Sequence, residues 1–224
     1  MPVKKRIKSG LTLNAELTPK QQEFFKIMSD PSVKVVFLSG AAGTSKTWLS
    51  FYTGLYLLDK GLYDKVLYLR NPIESSRRSL GALKGFLEDK IAVYIQVCKE
   101  KLMELLPPEQ ANMLISSGAV EGDVINFIRG RSLSDQVIIL DEASNCDLQE
   151  TETVIGRMNY NTKLFICGDS RQSDIKNDKY DKICERFSDE EANARGIYHL
   201  HFEREDIMRD PIIGFMLDRM DSLY

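Results

Sequence analysis

The chain has 224 residues, of which 43% are hydrophobic and 28% charged, and its formal net charge is -3. This composition suits one α/β domain with a full core, and it excludes a general electrostatic draw toward nucleic acid, so any such contact must rest on a local patch. The four cysteines, at 98, 146, 167 and 184, show neither a CxxC pair nor metal-ligand spacing, which points to reduced thiols as in a cytoplasmic protein.

The start MPVKKRIKSG is basic and lacks the apolar stretch of a secretory signal, and every apolar run is shorter than a membrane span, so no membrane partner is expected. Residues 1–16 read as a basic tail. Thr18-Pro19 opens a helix over 19–29 that places Phe24, Phe25, Ile27 and Met28 on one side. Val33 to Leu38 reads as the first central strand, Lys46 to Leu58 as its crossover helix and Lys65 to Leu69 as the next strand, with Gly61 as a helix stop. The Ser/Arg/Gly-rich stretch 71–85 reads as a loop. Residues 86–106 look helical as far as the Pro107-Pro108 pair, and a short helix follows over 109–116.

Further strands are expected at Val124 to Ile128, Val137 to Leu140, Lys163 to Cys167 and Ile197 to His201. A helix is expected over Leu148 to Met158 and another from Pro211 to Tyr224, while 171–193 is polar with an amphipathic centre. Alternating strands and helices predict a mostly parallel central sheet with helices on both faces. No linker divides the chain, so 17–224 is read as a single domain.

The chemistry is concentrated at strand ends. Residues 40–47, GAAGTSKT, follow the apolar run VKVVFLS. A strand feeding a glycine-rich turn that opens a helix aims backbone N–H groups at one point, a cradle for nucleotide phosphates. Against GxxxxGK[ST], Gly40, Lys46 and Thr47 match, and Ala41, Ala42, Gly43 and Thr44 fill the loop. Ser45 replaces the glycine before lysine; the expectation is that it falls in the first helical turn with negative φ, where a small side chain is tolerated. The run VIIL then ends in Asp141 and Glu142. One carboxylate can hold Mg2+ together with Thr47, and the other can activate water, which favours hydrolysis of ATP over transfer to an acceptor. A third strand ends in GDSRQ, where Gln172 can hydrogen-bond a γ-phosphate or water.

LTPKQQEFF, GAAGTSKT, LYLRNPIESSRRSLGALKGFLEDKIAVY, FIRGRSL, VIILDEASN, GRMNYNTKLFICGDSRQSDI and FEREDIMRDPII occur in an order that resembles the PhoH family, single-domain P-loop relatives of superfamily 1 helicases. Phage-borne members are similar in size, which is compatible with a viral source. The resemblance implies a RecA-like P-loop NTPase fold and a Mg2+-dependent ATP hydrolase coupled to single-stranded nucleic acid, RNA before DNA. It implies that Gln21 reads the adenine edge. FIRGRSL would face a nucleic-acid strand through Arg129, Arg131 and Ser132, with Arg70, Arg77, Arg78 and Lys84 extending the track. Arg209 resembles a helicase arginine that reaches the γ-phosphate, with Arg157 as second candidate. Because the chain holds no second helicase domain, that arginine would come from a neighbouring copy or from the chain's own end, and a hexameric ring is expected.

Other readings of the same residues are an ATP-gated oligomeric adaptor, a P-loop kinase, and a binding-only site caused by Ser45. His199 and His201 alternate on a predicted strand and could face one side, but no metal spacing accompanies them and they are given no role. Trp48, Phe51, Tyr52 and Tyr56 recur at helical spacing and are read as core.

Overall fold

A computed structural model describes residues 16–71, 87–173, 179–208, 210, 212, 214–216 and 219, without the side chains of 87–94 and Gln172. The expected tail therefore lies outside the described residues except for Glu16, as do Arg77, Arg78, Lys84, Arg209 and most of the expected last helix.

Helix α1 (Pro19–Ser29) starts where Thr18-Pro19 predicts. The Thr18 side chain accepts from the Gln21 N–H, and the Gln21 side chain accepts from the Thr18 N–H at 3.0 Å, so two otherwise unpaired donors are satisfied. Strand β1 (Val35–Gly40) leads into α2 (Lys46–Asp59), and β2 (Lys65–Arg70) follows. Beyond α3 (Leu87–Met103) and α4 (Pro108–Ser116) come β3 (Val120–Val124), β4 (Gln136–Asp141), α5 (Leu148–Ile155) and β5 (Thr162–Cys167). The short helices α6 (Tyr180–Arg186) and α7 (Glu190–Ala194) precede β6 (Ile197–Phe202).

The strands lie in the order β3-β2-β4-β5-β1-β6, and every pairing between them is parallel. Because the sheet is covered on both faces, its central strands are continuous apolar runs, and alternate residues enter two separate cores. Val36, Leu38, Val66, Tyr68, Ile139 and Phe165 pack under residues of α1 to α4. Their neighbours Val35, Phe37, Leu67, Leu69, Ile138 and Ile166 pack instead with Val154 of α5 and with Tyr180 and Cys184 of α6. This RecA-like arrangement brings the carboxyl ends of β4, β5 and β1 side by side.

One expected strand is displaced. The apolar run 124–128 is a 3-10 turn, Ile125–Ile128, and the strand is the less apolar Val120–Val124 before it. Among the described residues β3 pairs only with β2, as an edge strand, so Glu121 and Asp123 tolerate their positions by meeting Lys65 and Arg131. Ile125 and Ile128, one 3-10 turn apart, are the buried residues.

At the opposite end of the sheet, buried Lys163 donates to the Met28 and Asp30 carbonyls, at 2.9 and 2.6 Å, and so ties the end of α1 to β5. Burial, with a contribution from Lys34, pulls its ammonium down to about 8. Among the described residues no helix is long and apolar enough to cross a membrane.

Candidate active site

Three strand ends open onto one cleft of about 510 Å3, whose lining includes Gly43, Lys46, Thr47, Asp141, Glu142 and Asp169. The loop between β1 and α2 turns through Gly40 at φ 135°, Gly43 at φ 84° and Ser45 at φ 69°. At Gly40 a Cβ would stand 2.4 Å from the Phe202 carbonyl oxygen of β6, so both backbone conformation and neighbouring strand require glycine there. The Met208 N–H donates to the Gly43 carbonyl at 3.0 Å, which holds the segment after β6 against the loop.

Ser45 contradicts the expectation of negative φ. It is the residue before α2 and lies in the left-handed region, ψ 18°, with no side-chain cap bond. The cause is the tight reversal from the loop into α2, whose first residues Lys46, Thr47 and Trp48 line the cleft; glycine enters this conformation freely, and a side chain costs about 1–2 kcal/mol there. Ser45→Gly is therefore expected to stabilise the nucleotide-free chain by about 1 kcal/mol, read from denaturant midpoints at unchanged slope.

Lys46 reaches back over the loop, its Nζ donating to the carbonyls of Gly40 at 2.7 Å and Ala41 at 2.9 Å. Burial draws the ammonium below the ordinary lysine value, opposed by the charge of Asp169 and, more weakly, Asp141. The Thr47 hydroxyl donates to Asp141 Oδ1 at 2.6 Å, and the Tyr68 hydroxyl donates to Oδ2 at 2.8 Å. Asp141 is thus fixed from both sides. Its partner Tyr68 is fully buried in β2, and burial together with the Asp141 charge pushes its phenol far above the usual range. Nothing in the sequence marked Tyr68, whose position looks like any strand aromatic until β2 and β4 are known to be neighbours.

Glu142 is exposed, adopts φ 52°, and forms an ion pair with Arg70. Arg70, read from the sequence as part of a nucleic-acid track, is thereby held beside Glu142 of the cleft lining. Arg131 pairs with Asp123 at 2.8 Å and Glu121 at 3.5 Å on the β3 edge, whereas Arg129 is exposed. The Ser132 hydroxyl accepts from Asn159 at 2.6 Å. Arg157 is bonded through its backbone to Leu133, three residues before β4, so it sits at the amino ends of the strands, away from its own chain's cleft.

Gln21 lines the cleft while capping α1, and Trp48 lines it while stacking on Tyr52 at 5.6 Å. Trp48 is therefore more than the core residue its spacing suggested, whereas Phe51 is fully buried. Gln172 belongs to a 3-10 turn, Ser170–Gln172, directly after β5. Its neighbour Gly168 lies so close to the Tyr180 ring that a Cβ would come within 2.6 Å. The Tyr180 hydroxyl in turn is shared between the carbonyls of Leu38 and Ile166, which ties the ends of β1 and β5 together.

The two histidines do face one side, and what they meet is Ser39, the residue before the loop. Its Oγ is 2.6 Å from His199 Nε2 and 2.7 Å from His201 Nδ1. Ser188 donates its hydroxyl proton to the Cys184 carbonyl, so it accepts from His199 Nδ1–H. Burial plus neighbouring His201 lower the His199 pKa and favour the neutral ring, whose Nε2 accepts from the Ser39 hydroxyl and leaves that oxygen to accept from His201 Nδ1–H. With the folded-state value depressed, the unfolded chain takes the proton first, so the stabilisation is present above the ordinary histidine value of 6.5 and is lost as pH falls below it. Melting temperature should fall between pH 7 and 5, and by less in His199→Asn. Among the described residues no three His, Cys, Asp or Glu side chains group to hold a metal.

Comparison with known proteins gives a match of residues 15–221 to the family model described as PhoH-like protein. A PhoH-like protein of Bacillus subtilis is 27% identical over 205 residues, covering 92% of this chain and 63% of the relative. Protein PhoH2 of the same organism is 32% identical over 160 residues, covering 69% of this chain and 36% of the relative. This chain thus spans less than two thirds of the length of these curated relatives. Among solved structures, the Bacteroides sp. Pif1 complex with ADP-AlF4 aligns at a TM-score of 0.42 and 15% identity over 88% of this chain and 44% of the other. The Sulfolobus solfataricus SWI2/SNF2 ATPase core with dsDNA aligns at 0.46 and 13% identity over 70% and 33%.

Proposed function

The chain belongs to the PhoH-like protein family, and from that premise we propose that it hydrolyses ATP and couples hydrolysis to single-stranded nucleic acid, RNA before DNA. The observation that carries the reading is the meeting of Lys46, Thr47, Asp141 and Glu142 around one cleft. Backbone N–H groups at the start of α2 and the Lys46 ammonium bind the β and γ phosphates, for which Lys46 exchanges the loop carbonyls it now holds. Glu142 takes the proton of the attacking water.

The donor set fits Mg2+. Thr47 Oγ1 and Asp141 Oδ1 are hard oxygens only 2.6 Å apart at the cleft, and magnesium is commonly held by one or two protein oxygens plus substrate phosphates and water. When bound, the ion neutralises charge on the phosphates. Gln21 reads the adenine edge: its carbonyl oxygen is fixed by Thr18, which leaves the amide hydrogens for the base. Gln172 senses the γ-phosphate, and Arg209 completes the site; its neighbour Met208 is anchored to Gly43. Arg129, exposed beside the β3 edge, contributes to the strand-binding face together with Arg131 and Arg70. The protein acts in the cytoplasm, and six copies form a ring.

Phosphate release from Mg-ATP by wild type and Lys46→Ala, with and without single-stranded RNA or DNA, tests this reading. Turnover is expected in wild type, increased by the strand and lost in Lys46→Ala. A nucleotide-dependent change in mass by light scattering without any turnover would instead identify an ATP-gated adaptor.

A further inference from the structure

Strand β2 holds both members of the acid pair. Its alternate residues Tyr68 and Arg70 project on the same side, and Arg70 lies opposite Asp141 in the parallel register with β4. Tyr68 accordingly meets Asp141, and Arg70 meets Glu142, the next residue along. The following residue, Asn71, donates to the Asn145 carbonyl at 2.8 Å and to Glu150 at 2.6 Å, so the end of β2 is fastened to the turn that carries Glu142.

These two contacts have opposite consequences. Tyr68 is a neutral donor that orients the Asp141 carboxylate. Arg70 holds the Glu142 carboxylate, the group that must meet the attacking water, in an ion pair. The bond occupies an oxygen that would otherwise face water. The pair sits at the mouth of the cleft, with side chains 25% and 47% exposed, so water weakens it and another anion can displace it.

We propose that the Arg70–Glu142 ion pair is a latch that holds the base idle, and that a phosphate of a bound nucleic-acid strand releases it by taking over Arg70. Arg70 is then a positioning residue acting through Glu142, and it links strand binding to hydrolysis. The inference rests on the ATPase reading above. It also reconciles a basic residue expected on a nucleic-acid track with its location beside the acid pair: the same guanidinium serves each in turn.

The test is steady-state ATP turnover by the full chain with Mg2+, with and without poly(U), for wild type, Arg70→Gln, Arg70→Lys and Glu142→Gln, each checked for a cooperative melt. Arg70→Gln should raise the strand-free rate about fivefold and bring the stimulation by poly(U) close to one, and Arg70→Lys should retain part of the latch. Binding of labelled poly(U) should weaken in Arg70→Gln. A purely structural role predicts a lower rate with stimulation intact, so a strand-free rate in Arg70→Gln equal to or below wild type overturns the latch, as does unchanged stimulation. Absence of turnover in wild type, or turnover that survives Lys46→Ala, sinks the ATPase reading itself and the latch with it.

Discussion

Glu142→Gln is expected to reduce ATP turnover by about 10²–10⁴-fold while nucleotide affinity stays within a few-fold of wild type. The amide keeps the size of the carboxylate and can still meet Arg70, but it cannot accept the proton of the attacking water. Binding depends on other groups, namely Lys46, Thr47 and the start of α2, and none of them donates to Glu142 in the bonds around the cleft. Single-turnover phosphate release alongside fluorescence titration with a labelled nucleotide separates the two effects. Equal loss of binding and turnover would place Glu142 among the groups that hold the ligand; turnover at the wild-type rate would remove it from the chemistry.

Gly40→Ala is expected to cost about 3 kcal/mol or more, a large share of a typical stability of about 5–15 kcal/mol. Two effects add. A side chain at φ 135° is strained in isolation, and its Cβ would stand 2.4 Å from one Phe202 atom and 2.9 Å from another. The contacted carbonyl belongs to backbone, so relief requires β1 and β6 to move apart along a register that runs from Val35–Ile197 to Gly40–Phe202. Nucleotide affinity should fall as well, because Lys46 folds against the Gly40 carbonyl and the loop hangs from that point. A denaturant midpoint within 0.5 kcal/mol of wild type would contradict the packing argument.

Much of the fold was legible because the period of the apolar residues reports burial directly. The central strands are doubly buried and therefore read as unbroken apolar runs, and α1 announced itself through Thr18-Pro19. β3 was misplaced for the same reason: VINFI is more apolar than VEGDV, yet an edge strand needs only one neighbour, and its charges are met by Lys65 and Arg131 from elsewhere in the chain. The loop and acid pair could be found locally, since each is a contiguous string with a recognisable mechanical purpose.

What the sequence hid were relations between distant segments. Tyr68 and Arg70 acquire their roles only when β2 lies beside β4, a pairing that passes over α3, α4 and β3, and Ser39 acquires its two histidine partners only when β1 lies beside β6. The φ of Ser45 was misjudged on different grounds. The small residue next to Lys46 suggested a place in the first helical turn with negative φ, whereas the backbone path of the loop imposes the left-handed conformation regardless of what occupies it.

The central claim is that the ends of β1, β4 and β5 form one triphosphate pocket, and a crystal structure with a non-hydrolysable ATP analogue and Mg2+ tests it most directly. The predicted result has the phosphates against residues 40–47 with Lys46 withdrawn from the loop carbonyls, and the ion between Thr47 and Asp141. An analogue bound elsewhere, or one bound there with Lys46 still folded on Gly40 and Asp141 remote from the ion, would contradict the account.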